Sequence, residues 1–211
     1  MAGVSSSPGK VDRRRARGAD TREQILDAAR DVLATHGYAG TTTRAIAEAA
    51  GVRLSLVHYH FGGKQQLLVA VLDRENERLL ERQRALFAGS QPLAEKYLTS
   101  CAYLNEDLRS GYVRILWELW AVGLADERLR EHWRNALAGW HELLVQVASD
   151  WMEEHDVALP ISPRAVATLV GDAFLGAESE ILAGIGSDAA PHLEGLTAVA
   201  GLIEWAERRH A

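Results

Sequence analysis

Apolar residues recur at helical spacing along almost the whole chain beyond its first twenty residues. The first stripe predicts a helix from Thr21 to His36, and Gly37 is expected to end it. Another stripe predicts one long amphipathic helix from Lys64 to about Ala88. Further helical segments follow between Gly, Pro and Asp breaks, and the last two start near Arg164 and Leu193. The pattern therefore predicts an all-α protein of about nine helices.

The stretch from Thr43 to Phe61 differs from the rest because it contains two short helices interrupted by one glycine. Thr43 is expected to cap the first helix, and Gly51 can adopt the left-handed conformation that a sharp turn requires. A second helix from about Arg53 can bury Val57 and Phe61, which are four positions apart on one face. In a helix-turn-helix unit the second helix enters the DNA major groove and the first lies across the backbone. The alternative is an ordinary pair of core helices.

Charge is divided unevenly along the 211 residues, whose formal net charge is −6. Residues 1–64 contain ten Lys and Arg against six Asp and Glu, whereas residues 65–211 contain thirteen against twenty-three. A basic end joined to an acidic body fits a polyanion-binding module on a body that repels nucleic acid. The single cysteine, Cys101, excludes an internal disulfide, and no apolar run approaches the length of a membrane span. We expect a cytoplasmic protein with no membrane partner.

Residues 1–19 contain few apolar side chains and five basic ones. Such a segment buries too little apolar surface to offset the ordering of its backbone, so we expect a disordered basic arm. The arm can add phosphate or minor-groove contacts, as basic arms do in other DNA-binding proteins. The alternative is a solvated tail without such a role.

Residues 21–68 resemble the DNA-binding domain of TetR-type transcriptional regulators. The matching positions are Ile25, Ala28, Ala29, Gly37, Tyr38, Thr41, Thr42, Ile46, Ala47, Ala50, Gly51, Val52, Phe61, Lys64, Leu67 and Leu68. The resemblance implies an all-α dimer that usually represses transcription until a small molecule binds its larger C-terminal domain. It implies a three-helix, helix-turn-helix DNA-binding domain at residues 20–64, and an antiparallel helical domain for effector binding and dimerisation at residues 65–211. Four positions depart from the family's pattern and bear on the operator sequence: Thr43, Ser55, Leu56 and His58.

The candidate DNA-binding residues lie on both short helices and at their flanks: Thr42, Thr43, Arg44, Arg53, Leu54, Ser55, Leu56, His58, Tyr59, His60 and Lys64. The threonines and Lys64 suit phosphate contacts, while Arg44 can reach phosphate or guanine or remain simply exposed. Leu54 and Leu56 have no hydrogen-bond donors, so their expected readout is contact with thymine methyl groups. The alternative for the two histidines is a metal pair, but positions two apart point to different sides of a helix. We expect no metal.

Five of the six tryptophans fall within 35 residues, from Trp117 to Trp151. Bulky rings with polar tips can line an apolar pocket between helices, although the alternative is a well-packed helical core. Together with the resemblance, this cluster predicts an effector pocket lined by Tyr97, Cys101, Leu104, Trp117, Trp120, Trp133, Trp140 and Phe174. Because the chain shows no concentrated charge there, we expect a mainly apolar or aromatic effector.

The last two helices combine small residues with branched apolar ones, which lets helices approach closely. In the family these helices pair with their copies in a four-helix bundle, so the resemblance implies a homodimer. The predicted interface comprises Val170, Ala173, Ala177, Ile181, Leu196, Val199, Ala200 and Ile203. The alternative is an intramolecular helical hairpin.

The sequence shows no pattern typical of catalysis. Glu178 and Glu180 are two apart on a helix and do not converge, Cys101 has no sequence-local partner, and there is no phosphate-binding glycine loop. We therefore expect neither an enzyme nor a cofactor. The prediction is a transcriptional repressor that binds a palindromic operator, double-stranded DNA, as a dimer and is released by its small-molecule effector. A constitutive DNA-architectural protein without an effector is the nearer alternative, and a helical enzyme is the more remote one.

Overall fold

The computed structural model describes the backbone of residues 8–157 and 159–210, and the side chains of residues 18–157 and 159–208. Within these ranges the chain forms nine helices and no strand, which confirms the predicted all-α fold. The helices are α1 Pro8–Gly40, α2 Thr43–Ala49, α3 Leu54–Phe61, α4 Lys64–Phe87, α5 Leu93–Arg109, α6 Tyr112–Gly123, α7 Glu127–Glu154, α8 Pro163–Leu182 and α9 His192–His210. Among these described helices, none combines the length and the low polarity that crossing a membrane requires.

The chain packs as two compact units that divide between Leu72 and Asp73, inside α4. The predicted domain boundary lies earlier, between residues 64 and 65. The positions differ because the first turns of α4 belong to the core of the first unit, where Leu67 and Val71 are fully buried. α4 is therefore one continuous helix whose start and end belong to different units.

In the first unit, α1 is longer than the predicted helix. Its backbone is helical from Pro8, so residues 8–19 of the predicted disordered arm continue the helix, and residues 1–7 lie outside the described residues. Ala and Arg extend a helix readily once the amphipathic segment beyond Thr21 has formed. At its other end Gly37 leaves the helical conformation, with φ 65° and ψ 179°, before a last turn that ends at Gly40.

The predicted helix-turn-helix is formed by α2 and α3. The capping residue of α2 is Thr42 rather than Thr43, because the Thr42 hydroxyl accepts a hydrogen bond from the amide of Ala45 at 3.1 Å. Thr43 is instead the first residue of the helix. Gly51 has φ 63°, which is the left-handed conformation expected for the turn.

The second unit contains the rest of α4 and helices α5 to α9. In it α5 packs against α9, α7 packs against α8, and α6 packs against α5 and α7. Asp126 caps α7 and Ser162 caps α8, so the first amides of both helices have acceptors. One buried cluster joins α5, α6, α8 and α9, and within it the rings of Tyr97 and Phe174 meet edge to face at 6.0 Å. This cluster contains residues that were predicted for the pocket and residues that were predicted for the dimer interface.

Candidate functional site

Two side chains anchor α3 from beneath. Val57 is fully buried and Phe61 is 8% exposed, and both belong to the core that α1, α2 and the start of α4 form. The guanidinium of Arg22 lies 5.3 Å from the centroid of the Phe61 ring. A helix of only eight residues is marginal by itself in water, so these contacts determine which face α3 turns outward.

The accessible side of α3 carries large side chains that have no role in the core. Tyr59 is 81% exposed, and Leu54 and Leu56 are each 37% exposed. The other candidates at this helix are exposed or half-buried: Arg53, Ser55, His58 and His60. Hydroxyl, imidazole and aliphatic groups on one firmly held helix can contact base edges and methyl groups in a major groove. The structure thus brings the predicted base-contacting residues together on one accessible helix.

The two histidines of α3 make local contacts. His58 Nδ1 lies 3.2 Å from the carbonyl oxygen of Gly62, and the His60 ring meets the Tyr59 ring edge to face at 5.1 Å. Within the described ranges, no group of three or more His, Cys, Asp or Glu side chains is placed to hold a metal ion.

The start of α2 presents the predicted phosphate-contacting residues. Thr42 and Arg44 are exposed and Thr43 is half-buried. The Thr42 hydroxyl accepts its capping bond through a lone pair, so its proton remains available to donate to a phosphate oxygen. Arg44 extends from the same turn with a guanidinium that suits phosphate or guanine.

Lys64, the first residue of α4, is held inside the first unit. Its ammonium donates a hydrogen bond to the Tyr38 carbonyl at 2.7 Å and lies 4.0 Å from the centroid of the Tyr38 ring. Burial lowers the pKa of Lys64 from its ordinary value. An ammonium has three N–H donors, so this contact positions the group and leaves donors for a phosphate. The phosphate contact stays a prediction.

The eight residues predicted to line an effector pocket do not all come together. Tyr97, Cys101, Leu104 and Phe174 are buried in the cluster described above, and Trp117 packs against it. Burial raises the pKa of the Cys101 thiol to about 11, so the thiol is protonated at neutral pH and is a poor nucleophile.

The remaining three tryptophans of that prediction are not among the described members of this cluster. Trp120 is 38% exposed and meets Trp117 edge to face at 5.1 Å. Trp133 and Trp140 lie on α7, where Trp133 is buried and Trp140 is half-buried. The residues predicted to line one pocket therefore lie in three places: in or against the buried cluster, beside it at Trp120, and on α7.

A buried polar cluster in the second unit was missed by the sequence reasoning. Glu178 of α8 accepts a hydrogen bond from Nε1 of Trp117 at 3.1 Å. Burial raises the pKa of the Glu178 carboxyl to about 7; the Trp117 N–H opposes this change and the nearby Asp107 carboxylate adds to it. Asp107 accepts two hydrogen bonds from the guanidinium of Arg82. The Tyr112 hydroxyl is buried close to these carboxylates and has no hydrogen-bond partner among the described residues.

Glu75 of α4 is a third carboxylate in this cluster, and it is paired. Its Oε1 accepts from Arg74 at 2.8 Å and from Arg78 at 3.1 Å. Burial, and then the three surrounding carboxylates, raise the pKa of Tyr112 well above its ordinary value. The second unit thus contains three carboxylates near one buried hydroxyl, two of them paired with arginines, where the sequence indicated no concentrated charge.

The position of Glu178 along α8 already indicated that its side chain faces the interior. Glu178 follows Phe174 by four positions and is next to Ala177, so it falls on the buried side of the helix. The partners on α5 and α6 are distant in the sequence, which is why the pattern alone could not reveal them.

The second unit also contains a cleft of about 560 Å³ near the ends of α4, α7 and α9. In it the rings of Trp151 and His155 stack at 5.2 Å, and Trp151 Nε1 donates to Glu207 at 3.2 Å. Its other lining residues include Arg84, Phe87, Gln91, Lys96, Asp150 and Glu154. None of the eight residues predicted for the pocket lines this cleft.

Three of the residues predicted for the dimer interface lie inside the core of a single protomer. Ala177, Leu196 and Ala200 are 5%, 5% and 3% exposed. A second copy cannot contact them without opening that core, so these three do not form an interface surface. The other predicted residues are half-buried, except for Ala173, which is exposed: Val170, Ala173, Ile181, Val199 and Ile203.

A different apolar stripe on α8 and α9 is accessible. Leu169 is 63% exposed, Leu202 is 66% exposed and Trp205 is 54% exposed. Gly176 and Gly201 are exposed as well, and a Cβ atom added to either would meet no atom within 4 Å. Large and small residues therefore alternate on the outer side of these two helices.

The comparisons with known proteins agree with this arrangement. The family model described as "Bacterial regulatory proteins, tetR family" matches residues 25–71. The HTH-type transcriptional regulator UidR of Escherichia coli (strain K12) is 23% identical over 193 residues, which cover 92% of this chain and 97% of that protein. An uncharacterized HTH-type transcriptional regulator in the dhlA 5' region of Xanthobacter autotrophicus is 33% identical over 139 residues, 60% of this chain and 67% of that protein.

A solved structure shares the fold along most of the chain. It is a TetR transcription regulator from Haloarcula marismortui ATCC 43049, with a TM-score of 0.73 and 22% identity over 88% of this chain and 96% of that one. The helix-turn-helix with its outward α3 and the fold of the second unit thus agree with the matches in sequence. The chain belongs to the TetR family of transcriptional regulators.

Proposed function

We propose that the protein is a cytoplasmic, homodimeric repressor that binds an inverted-repeat operator and is released from it by a small, mainly apolar or aromatic molecule. In this proposal residues 20–64 bind DNA and residues 65–211 bind the effector and the second copy. The observation that carries it is the accessible side of α3, where Tyr59 is 81% exposed on a helix that buried residues hold firmly.

The groups on α3 favour sequence-specific binding over attraction to phosphate alone. Leu54 and Leu56 offer no charge or donor, so their exposure is of no use to a purely electrostatic DNA binder. Against a thymine methyl group the same surface contributes specificity. Arg44 and Lys64, at the two ends of the unit, supply phosphate contacts that orient the helix.

The dimer surface proposed here is the accessible stripe of α8 and α9. Leu202 and Trp205 present apolar area, and Gly176 and Gly201 leave room for a second helix to approach. A two-fold pairing of these helices gives a four-helix bundle, in which each protomer contributes the same surface. Two copies of α3 then face two half-sites of one operator.

A selection experiment tests the proposal. Random double-stranded DNA retained by the pure protein is sequenced, and the bound site is mapped by footprinting. We expect an inverted repeat whose half-sites lie about one helical turn, or a small multiple of it, apart. A single, non-palindromic site would overturn the dimeric mode of binding.

A pair of variants tests the dimer surface. Leu202→Arg places a charge in the proposed interface and should give monomers that bind the operator poorly. Leu124→Arg makes the same change at the end of α6, where the side chain is 59% exposed, and should leave the dimer intact. If light scattering showed that both variants remain dimers, the interface would have to lie elsewhere.

The proposed effector control is tested by measuring ligand binding with and without operator DNA. A ligand that weakens operator binding must bind less tightly to the operator complex by the same factor, typically about 5–150-fold. A compound that binds identically with and without operator would show a pocket that is not coupled to DNA. If no ligand changed operator affinity, the constitutive DNA-binding alternative would be preferred.

A further inference from the structure

Glu178 is a half-buried acid that has no cationic partner among the described residues. Its side chain is half-buried between α8 and α6, and its one described hydrogen bond comes from the Trp117 indole at 3.1 Å. Among the described residues, no Lys, Arg or His forms an ion pair with it. An unpaired charge in the interior is strongly unfavourable, so proteins normally pair such a group or use it.

The neighbouring acids show how this chain treats buried carboxylates elsewhere. Asp107 is bound by both terminal nitrogens of Arg82, and Glu75 is paired with Arg74. Only Glu178 lacks such a partner within the described part of the cluster. When Glu178 is ionised, its negative charge is therefore the one that remains to be balanced.

The Tyr112 hydroxyl is a second polar group near these carboxylates whose hydrogen-bonding capacity is not satisfied by any described residue. It is inaccessible to solvent and makes no hydrogen bond to any described residue, and it lies close enough to the carboxylates to feel their charge. Buried hydroxyls nearly always have a partner, so an orphaned one marks a place where a ligand group or a water supplies it.

Aromatic surface lies next to the same carboxylate. The Trp117 ring, whose N–H contacts Glu178, meets the Trp120 ring edge to face at 5.1 Å. Trp120 is 38% exposed, so one ring of this pair is accessible. Indole faces attract cations, and the same rings accept an apolar or aromatic group.

A ligand with a negative charge fits this site less well. It would meet the Glu178 carboxylate, which no described cation balances, and the Arg82 guanidinium already uses both terminal nitrogens for Asp107. Of the three Arg82 nitrogens, only Nε has no hydrogen-bond partner among the described residues. A single donor of this kind cannot make the two-pronged contact by which Arg usually binds a carboxylate.

We propose that this site binds an organic cation, with Glu178 as the counter-ion of its positively charged nitrogen and the Trp117–Trp120 pair in contact with its aromatic or apolar body. The inference rests on the proposed function, because it names the chemical class of the effector. It narrows the expected apolar or aromatic molecule to one that also carries a positive charge.

The test uses three probes of the same shape class with the full-length protein. Benzyltrimethylammonium carries the charge, neopentylbenzene is its neutral isostere, and phenylacetate is an anionic aromatic. Binding is followed by quenching of tryptophan fluorescence. We expect benzyltrimethylammonium to bind at least tenfold more tightly than neopentylbenzene, and phenylacetate to bind weakest. Absence of saturable quenching by the cation at millimolar concentration, or tighter binding of the isostere or of phenylacetate, would overturn the inference.

Two variants identify the counter-ion. Glu178→Gln keeps an acceptor for the Trp117 N–H and removes the charge, so the preference for the cation should disappear. Asp172→Asn makes the same change at an exposed position of α8 and should keep the full preference. A preference that survives Glu178→Gln would exclude Glu178 as the counter-ion, and the comparison of probes on the wild-type protein stands even if that variant folds poorly.

Operator binding is measured separately with each probe. If the cation binds through Glu178 but leaves operator affinity unchanged, the cation site stands and effector control of DNA binding falls. If only a neutral molecule releases the operator, the proposed function stands and the cationic effector is excluded.

Discussion

Removal of the Glu178 charge should stabilise the folded protein at neutral and alkaline pH. Burial raises the pKa of this carboxyl to about 7 from its ordinary value of 4.5, with opposition from the Trp117 N–H and a further rise from the Asp107 carboxylate. The folded protein therefore binds this proton more tightly than the unfolded chain does. The stability that results is fully present below about pH 4.5 and is lost as the pH rises through about 7.

The magnitude follows from the two pKa values. Between pH 5 and pH 8 the titration of this one group lowers the free energy of unfolding by roughly 2–3 kcal/mol. Glu178→Gln cannot titrate, so this part of the pH dependence should vanish in the variant. The variant should match the wild type near pH 5 and exceed it by roughly 2–3 kcal/mol at pH 8.

Urea denaturation at pH 5, 6, 7 and 8, followed by circular dichroism, measures the difference between the two proteins. Both are kept at one protein concentration, because association contributes to apparent stability. Other groups that titrate in this range contribute equally to both proteins and cancel in the comparison. The free energy of unfolding of Asp172→Asn, a change at an exposed site on the same helix, should vary with pH as that of the wild type does. Parallel curves for Glu178→Gln would refute the reasoning, since they would mean that the buried charge carries no penalty.

Three further changes test the DNA-binding unit and the core of the second unit. Tyr59→Ala should weaken binding to the selected operator by about 1–3 kcal/mol and leave non-specific binding unchanged, measured by fluorescence anisotropy. Lys64→Gln should weaken binding to all DNA and make its salt dependence shallower by about one unit per subunit. It should also lower the melting temperature, because the Tyr38 carbonyl loses its charged donor and the Tyr38 ring loses the cation above it. An unchanged salt dependence would show that Lys64 does not contact phosphate. Ala200→Arg should lower the melting temperature strongly, because Ala200 is buried in the core of one protomer. Leu202→Arg should mainly dissociate dimers, because Leu202 is exposed. Equal melting temperatures of the two variants would contradict this difference in burial.

The helix-turn-helix was predictable because its determinants are local. The turn needs a left-handed residue and the second helix needs a buried face, and Gly51, Val57 and Phe61 provide these within eleven residues. The cap was misplaced by one position. Thr42 and Thr43 have the same side chain, and only the backbone shows which hydroxyl accepts a hydrogen bond from the amide of the third helical residue.

The inner and outer sides of α8 and α9 could not be told apart from the sequence. Both helices are apolar on two sides, so a stripe that includes Ala177 and Ala200 looks as suitable for a second copy as one that includes Leu169 and Leu202. Burial separates them, since the alanines fill the protomer's own core and the leucines are more than half exposed. A periodicity identifies an apolar face but does not identify what covers it.

The charged interior was hidden for a related reason. Glu is rarely buried, so a Glu in an apolar helix is ordinarily assigned to the surface. The contact that places Glu178 joins it to Trp117, 61 positions earlier, and Arg82 reaches Asp107 across 25 positions. The sequence shows these charges one at a time, and only the fold shows that they converge.

In the proposed mechanism, α4 connects the residues around Glu178 with the core that supports the DNA-binding helix α3. Near its start, Leu67 belongs to the core that holds Phe61 of α3. Near its end, Arg82 holds Asp107, whose charge acts on Glu178. A cation beside Glu178 changes the field in which Asp107 and Arg82 lie, so the position of α4 that is most favourable depends on whether the ligand is bound. In this proposal α4, which is one continuous helix from Lys64 to Phe87, is the element whose two ends would make the differential contacts that allosteric coupling requires.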